Sequence, residues 1–332
     1  MLRLFAFFAL SSSLLLAACG DGSSPPPPLD VSWVEAPVEL DTPARYAAGL
    51  ACGPHDETVF DVFVPEGAER APLVFYIHGG GFTAGSRTEL WTGYEDELEA
   101  FLAAGFVVAT IDYRLLSEDV DPDGVLKPLG DSARCLQYLR YHANSFGIDS
   151  ERVVAMGTSA GAGTALWLGT HDDLADREAE DPVLRESTRP SAVVAIETQA
   201  TYDLLRWSTD VFAEYELDPI EAAEFLGLTQ RMLNFYGITD VEDLETPEIQ
   251  AYRAEVDMLG LMSDDDPPVF VSNVWEDASF PGTVGSLFHH PYHAEAVADF
   301  AEAEPIPVVA NIPKIGVDAS ETAVEFARRQ LQ

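Results

Sequence analysis

Short apolar runs alternate with amphipathic stretches along most of the chain. Runs that are short and apolar enough for β-strands lie at residues 58–64, 73–77, 106–111, 153–156, 192–196, 269–274 and 306–312. Longer stretches with apolar residues at helical spacing lie at residues 90–104, 127–144, 160–170, 291–303 and 319–331. This alternation of strand and helix predicts an α/β fold with a mostly parallel central sheet flanked by helices.

The pattern changes in two places. Residues 58–64 alternate between apolar and polar side chains, which is typical of an edge strand, whereas residues 73–77 are almost continuously apolar and predict a strand covered on both faces. Between residues 201 and 262 the strand pattern lapses. Asp218 and Thr246 each stand directly before a proline, as capping residues do at helix starts. We therefore expect residues 201–262 to form a helical lid inserted over the sheet.

The N-terminal segment, residues 1–18, is predicted to be an export signal. Arg3 precedes an apolar stretch at residues 4–16, which is shorter than the roughly 20 residues that a membrane-spanning helix needs. The sequence LAAC at residues 16–19 resembles a bacterial lipobox, in which Cys19 would be lipidated and become the mature N-terminus. An ordinary secretory signal with an incidental cysteine is the alternative.

These features predict three segments: a signal peptide at residues 1–18, a Ser/Pro-rich tether at residues 19–30 and a folded domain at residues 31–332. We expect an exported lipoprotein that contacts the membrane through its N-terminal lipid only.

Composition narrows the classes of partner. The chain has 57 acidic and 18 basic residues, which give a net charge of −39. The electrostatic field of this negative charge repels the phosphate backbone of nucleic acid. A hydrophobic content of 47% excludes a wholly disordered chain. Besides Cys19, the chain contains only Cys52 and Cys135, which predict one possible disulfide, with two buried free thiols as the alternative. No CxxC or HxxxH cluster accompanies Cys52 or Cys135, and we expect neither metal nor cofactor.

Two glycine-rich turns carry the candidate chemistry. The sequence GTSAG at residues 157–161 joins the strand at 153–156 to the helix at 160–170, which is the context of a nucleophile elbow, and Ser159 is the predicted nucleophile. Upstream, HGGGF at residues 78–82 follows the strand at 73–77. Its glycines let backbone amides approach a ligand and form an oxyanion hole together with the amide of Ala160.

These motifs, with DYR at residues 112–114 and GIDSERV at 147–153, resemble the α/β-hydrolases of the GGGX type, which include the hormone-sensitive-lipase and feruloyl-esterase-like carboxylesterases. The resemblance extends over about residues 58–200. It implies an α/β-hydrolase fold in which Gly80, Gly81 and Ala160 supply the oxyanion amides, whereas His78 and the DYR residues are structural. It also implies a catalytic acid shortly after the strand at 269–274.

Asp277 is the best fit for that acid, and Glu276 is the alternative. The general base departs from the family, because the usual position after the final strand has no histidine and none follows His293. The loop before the helix at 291–303 should lie at the same sheet edge as Asp277. We therefore predict His289, or else His290, as a displaced base.

Two other uses of these histidines stay open. Helix capping or solvation would also account for the pair at 289–290. Metal binding by His289 and His293 would have the right spacing, but no third ligand is evident.

The combined prediction is a serine carboxylesterase that forms an acyl-enzyme at Ser159 and acts on a small-molecule or carbohydrate-linked ester. A non-catalytic binding lipoprotein of the same fold, which has lost its base, is one alternative, and a serine peptidase is another. The sequence fixes neither the acyl and alcohol groups nor the oligomeric state.

Overall fold

A single eight-stranded sheet organises the chain. The computed structural model describes residues 26–117 and 119–331. The strands are β1 (Ala44–Ala51), β2 (Val59–Pro65), β3 (Ala71–Ile77), β4 (Val107–Ile111), β5 (Ile148–Thr158), β6 (Ala192–Ile196), β7 (Val269–Ser272) and β8 (Val308–Asn311). They lie in the order β1-β2-β4-β3-β5-β6-β7-β8. Strand β2 runs antiparallel to both of its neighbours, β1 and β4. All the other neighbouring strands run parallel, so the predicted mostly parallel sheet is confirmed.

The prediction of residues 58–64 as an edge strand was wrong. Strand β1 pairs with the outer side of β2, and six of the seven residues of β2 are buried. The sequence of β1, ARYAAGLA, is rich in Ala and Gly, which have low strand propensity, and the pattern therefore missed it. Its buried Tyr46 and Ala47 show that packing overrides propensity here.

Helices cover both faces of the sheet. The helices are α1 (Glu89–Gly93), α2 (Glu95–Ala103), α3 (Leu126–Tyr141), α4 (Ala143–Phe146), α5 (Ala160–Thr170), α6 (Pro219–Phe225), α7 (Thr229–Tyr236), α8 (Pro247–Glu255), α9 (Met258–Leu261), α10 (Val284–Phe288), α11 (Pro291–Ala303) and α12 (Ala323–Leu331). Because strand side chains alternate, Phe75 packs in the core with α3, α5 and α11, while Val74 packs in the core with α2 and α12.

The segment between β6 and β7 is built from short helices, α6 to α9. The helix starts predicted at Asp218 and Thr246 are present, and each side chain accepts a hydrogen bond from the first turn of its helix. Tyr236 is fully buried, and its hydroxyl donates to Tyr202 O and accepts from Leu204 N. This network fixes α7 against the start of the segment.

A disulfide ties the N-terminal hairpin to α3. Cys52, directly after β1, is bonded to Cys135, and their Cα atoms are 4.9 Å apart. Among the described residues, no helix combines the length and hydropathy that crossing a membrane requires. Cys19, the predicted signal peptide and most of the predicted tether lie outside the described residues.

Candidate active site

Ser159 occupies a strained turn between β5 and α5. Its φ is +50°, a value that non-glycine residues seldom adopt. A Cβ atom on Gly161 would lie 2.0 Å from Ile77 O, and one on Gly157 would lie 2.3 Å from the Gly161 backbone. The amide of Ser159 donates to Ile196 O at 2.9 Å. The absence of side chains on the two glycines therefore lets three strands and the helix converge beneath the serine.

Unpaired backbone donors lie beside this turn. Gly80 and Gly81 follow β3 and line the same cavity as Ser159. Within the described part of the chain, neither amide donates a hydrogen bond. Ala160 is the first residue of α5, where a helix amide has no intrahelical acceptor. These three amides are the donors that an oxyanion would use.

His289 lies next to the serine. Its Nε2 atom is 2.8 Å from Ser159 Oγ, the distance of a direct hydrogen bond. The surrounding main chain is held by two side-chain amides: Gln199 donates to Phe288 O at 2.8 Å, and Asn273 donates to His289 O at 3.1 Å. Residues that follow β6 and β7 therefore hold the backbone at His289 in place.

The surroundings of His289 favour its neutral form. Burial lowers the pKa of its imidazole, and the nearby positive charge of Arg231 lowers that pKa further. A neutral imidazole with Nε2 unprotonated can accept the serine proton. The predicted displaced base therefore lies within hydrogen-bond distance of Ser159 Oγ, in surroundings that favour the neutral imidazole.

The alternative base, His290, is not brought to Ser159. Its Nδ1 accepts from Tyr292 N at 3.2 Å as the N-cap of α11, and its Nε2 donates to Ser279 O at 3.0 Å. Both ring nitrogens are occupied in a fully buried side chain. His290 is therefore a helix cap, because the proline that follows it starts α11 at that point.

His293 also has both ring nitrogens engaged. Its Nδ1 accepts from Ala200 N, and its Nε2 donates to Leu287 O. Burial lowers the pKa of His293 to about 3, so it stays uncharged. Across residues 26–117 and 119–331, no three His, Cys, Asp or Glu side chains converge on a possible metal position.

Asp277 does not reach His289, so its predicted place in the triad is corrected. Strand β7 ends at Ser272, and the chain continues as a surface loop in which the Asp277 side chain is 77% exposed and pairs with Lys314 at 3.0 Å. Glu276, the alternative acid, is partly buried. In the described structure neither carboxylate is hydrogen-bonded to His289.

A different carboxyl group, which was not predicted from the sequence, is buried at the end of β6. Glu197 directly follows β6, has a φ of +52° and is fully buried. Its Oε1 accepts from Val274 N and Trp275 N, while its Oε2 has no partner among the described residues. Burial raises the pKa of Glu197 to about 7. Asp277 was selected because it follows the carboxyl end of a parallel strand. The same rule applied to β6 would have identified Glu197 as a candidate acid.

His78 and the DYR residues, which the resemblance implied to be structural, make contacts in and around the glycine loop. His78 stacks on Tyr113 with ring centroids 4.2 Å apart, and its Nδ1 donates to Gly79 O. Arg114 donates two hydrogen bonds to the carboxylate of Asp131. None of these groups contacts Ser159.

A cavity of about 460 Å³ lies above Ser159 and His289. Large apolar side chains, mostly from the segment between β6 and β7, dominate its walls: Phe82, Tyr202, Trp207, Met232, Phe235 and Phe288. A cavity of this size and character suits a small organic ligand.

A family model agrees with this site. The BD-FAE model matches residues 60–275, which is more than half of the chain. The chain belongs to the BD-FAE family. The match includes the glycine loop and Ser159 but ends before His289, so the part of the chain that departs from the expected base position lies beyond the BD-FAE match.

Two nematode proteins are similar to this BD-FAE protein in sequence. Gut esterase 1 of Caenorhabditis elegans is 31% identical over 118 residues, which are 34% of this chain and 21% of that protein. Gut esterase 1 of Caenorhabditis briggsae is 27% identical over 206 residues, which are 48% of this chain and 36% of that protein. The chain thus matches about a fifth to a third of the length of these relatives.

Solved structures share the fold of this BD-FAE protein. A truncated carbohydrate esterase from gut microbiota aligns with a TM-score of 0.63 at 14% identity, covering 91% of this chain and 98% of the other. An acetyl ester-xyloside bifunctional hydrolase from Caldicellulosiruptor lactoaceticus aligns with a TM-score of 0.53 at 20% identity, covering 78% and 77%. The predicted α/β-hydrolase fold is confirmed.

Proposed function

We propose that this protein is a serine carboxylesterase. The observation that carries the proposal is the 2.8 Å contact between Ser159 Oγ and His289 Nε2 at a strained elbow beside unpaired amides. The similarity to proteins named as esterases supports it. The binding-protein alternative assumes a pocket without a base, and the contact of His289 with Ser159 favours the esterase over that alternative.

The geometry suggests the first half of the reaction. Ser159 Oγ attacks the ester carbonyl carbon while His289 Nε2 takes the hydroxyl proton. The carbonyl oxygen becomes an oxyanion that the amides of Gly80, Gly81 and Ala160 stabilise. The tetrahedral species then collapses as His289 returns the proton to the leaving alcohol, which gives an acyl-enzyme and free alcohol.

Deacylation uses the same groups with water as nucleophile. His289 removes a proton from water, the acyl carbon is attacked, and the proton returns to Ser159 as the carboxylic acid departs. Burial, together with the nearby Arg231 charge, lowers the pKa of His289 and so opposes imidazolium formation in these steps. The base is therefore readily regenerated after each transfer.

We propose a small-molecule or carbohydrate-linked ester as substrate. The cavity of about 460 Å³ holds a small acyl or aryl group against aromatic walls. The names of the solved neighbours, a carbohydrate esterase and an acetyl ester-xyloside hydrolase, support a sugar on the alcohol side.

The test is hydrolysis of p-nitrophenyl esters of increasing acyl length by the purified protein. A fluorophosphonate probe should label wild type at Ser159, and Ser159→Ala should abolish both labelling and turnover while keeping the native circular dichroism spectrum. Ser187→Ala, a serine that does not line the cavity, is the matched control. A folded wild type that neither turns over any activated ester nor reacts with the probe would favour the binding-protein function.

We also propose that the mature protein is an exported lipoprotein, anchored at Cys19 and held off the membrane by the Pro-rich tether. The proposal rests on the lipobox-like sequence LAAC at residues 16–19. Cys19→Ser should move the protein from the membrane fraction to the soluble fraction. Unchanged membrane partitioning of this variant would contradict the anchoring.

A further inference from the structure

A guanidinium group projects into the cavity beside the candidate oxyanion amides. Arg231, on α7, donates from Nη2 to Gly81 O at 3.1 Å. The same guanidinium lies 5.2 Å from the ring centroid of Phe288, the residue before His289. It lines the cavity together with Ser159 and His289. Arg231 thus stands between the glycine loop and the segment that carries the base.

Gly81 admits this cation. A Cβ atom at position 81 would lie 1.6 Å from Arg231 Nη2, and the φ of Gly81 is +58°. The glycine therefore serves the loop conformation and also leaves the space that the guanidinium occupies.

Arg231 has no carboxylate partner within 4.0 Å among residues 26–117 and 119–331. Other arginines of the same segment do, since Arg206 pairs with Asp257 and Arg253 pairs with Asp203. Only one of the five N–H donors of Arg231 is used by the described protein. Burial lowers the pKa of this arginine, because burying its charge without a carboxylate partner is unfavourable.

A carboxyl side chain also lines the cavity, but its oxygens already accept hydrogen bonds. Glu89 accepts hydrogen bonds from the amide of Gly79 and from the hydroxyls of Tyr76 and Thr158. It therefore serves the underside of the elbow rather than neutralising Arg231. Among the described residues that line the cavity, Arg231 is the cation with free donors, and it shares mostly apolar walls with the nucleophile Ser159.

We propose that Arg231 binds a carboxylate of the substrate, so that the preferred esters carry one carboxylate near the scissile bond. This inference rests on the proposed esterase function. Half-esters of dicarboxylic acids and acylated acids, including acylated sugar acids, are the substrate class. A guanidinium can hold a carboxylate through two parallel hydrogen bonds. The net charge of −39 repels anions at a distance, but salt screens it beyond about 8 Å, so one carboxylate can enter where a polyanion would not.

The test compares esters that differ only in the carboxylate. The acyl-side pair is mono-4-nitrophenyl adipate and its methyl ester, and the alcohol-side pair is 4-acetoxybenzoate and its methyl ester. For one of these pairs, wild type should show a higher kcat/KM with the anionic member. Arg231→Gln should lower the anionic-to-neutral ratio for that pair roughly tenfold to a hundredfold, the range for a charge-assisted hydrogen bond. Arg231→Lys keeps the charge without the planar fork and should give an intermediate ratio.

Arg328→Gln is the control for overall charge. Arg328 is exposed on α12 and does not line the cavity, so its removal should leave the ratio unchanged. An equal loss of kcat/KM on both members of a pair in Arg231→Gln would overturn the proposal, because Arg231 would then act on the reaction common to all esters. A wild-type ratio of one or less for both pairs would also overturn it.

A binding measurement separates this proposal from the esterase function. Calorimetric titration of Ser159→Ala with each ester should give a lower Kd for the anionic member of the preferred pair, and the added substitution Arg231→Gln should remove the difference. This result is expected even if wild type hydrolyses none of the esters, which would refute only the esterase function. Equal Kd values for the two members of both pairs would refute carboxylate recognition.

Discussion

Loss of the disulfide should lower the free energy of unfolding by an amount that depends on the length of the loop that the disulfide closes. Cys52 and Cys135 are separated by 83 residues, a loop that contains β2, β3, β4 and the glycine loop. The entropy removed from the unfolded chain by closing such a loop is about 15 cal/mol/K, or about 4.5 kcal/mol at 25 °C. Both cysteines are fully buried, so replacing them with alanine adds a smaller packing loss.

The assay is equilibrium unfolding in guanidinium chloride without reductant, followed by the fluorescence of buried tryptophans such as Trp91 and Trp167. The variants are Cys52→Ala, Cys135→Ala and the double variant, and the free energy of unfolding is compared rather than the midpoint. A broken cross-link also expands the unfolded chain and so raises the denaturant slope.

The pattern of losses distinguishes a cross-link from packing. If the bond provides the stability, either single variant loses about 4.5 kcal/mol and the double variant loses little more. If the two cysteines are merely packed thiols, each single loss is small and the double loss is their sum. An additive result would refute the loop-closure reasoning.

Two further predictions concern buried ionisable groups. Since burial and Arg231 lower the pKa of His289, the acid limb of kcat/KM for a neutral ester should have its midpoint below the ordinary histidine value of 6.5; a midpoint above 6.5 in a pH–rate profile would contradict a buried neutral base. Glu197 holds its proton to about pH 7 when folded but only to about 4.5 when unfolded, so the free energy of unfolding should fall by about 3 kcal/mol as pH rises through that interval. Glu197→Gln should lack this loss when unfolding is measured at pH 5 and pH 8, and an identical pH dependence in both proteins would refute it.

Much of the fold was predictable because the parallel strands are buried on both faces and read as continuous apolar runs. The predicted strand at 192–196 and the predicted helices at 160–170 and 291–303 agree with the structure residue by residue. Strand β1 was missed because it is held by pairing with β2 rather than by its own Ala-rich sequence. Local pattern carries little information about such a tertiary effect.

The candidate site was predictable where chemistry is tied to a local motif. Ser159 and the glycine loop are defined by turns whose glycines are sterically required. The choice between His289 and His290 was open, because it depends on which histidine caps α11 and which remains free to reach Ser159. The prediction of Asp277 as the acid was wrong because β7 ends at Ser272, before the predicted end of the strand, and the following loop leaves Asp277 exposed at the surface.

Arg231 had no sequence signal at all. It lies in the segment between β6 and β7, and its approach to Gly81 joins residues 150 positions apart. Such a contact depends on how the short helices pack over the sheet, which neither periodicity nor capping residues encode.

The contacts that exclude a Cβ at Gly157 and Gly161 divide the site into two parts with different capacity for change. Beneath Ser159 the neighbours are main-chain atoms, including the carbonyl of Ile77, and no substitution can move them without moving the sheet. Above it the walls are side chains such as Trp207 and Phe235, carried on short helices and turns. Selection or engineering can therefore reshape which ester is accepted through this upper layer, while the reaction itself stays fixed by the backbone below.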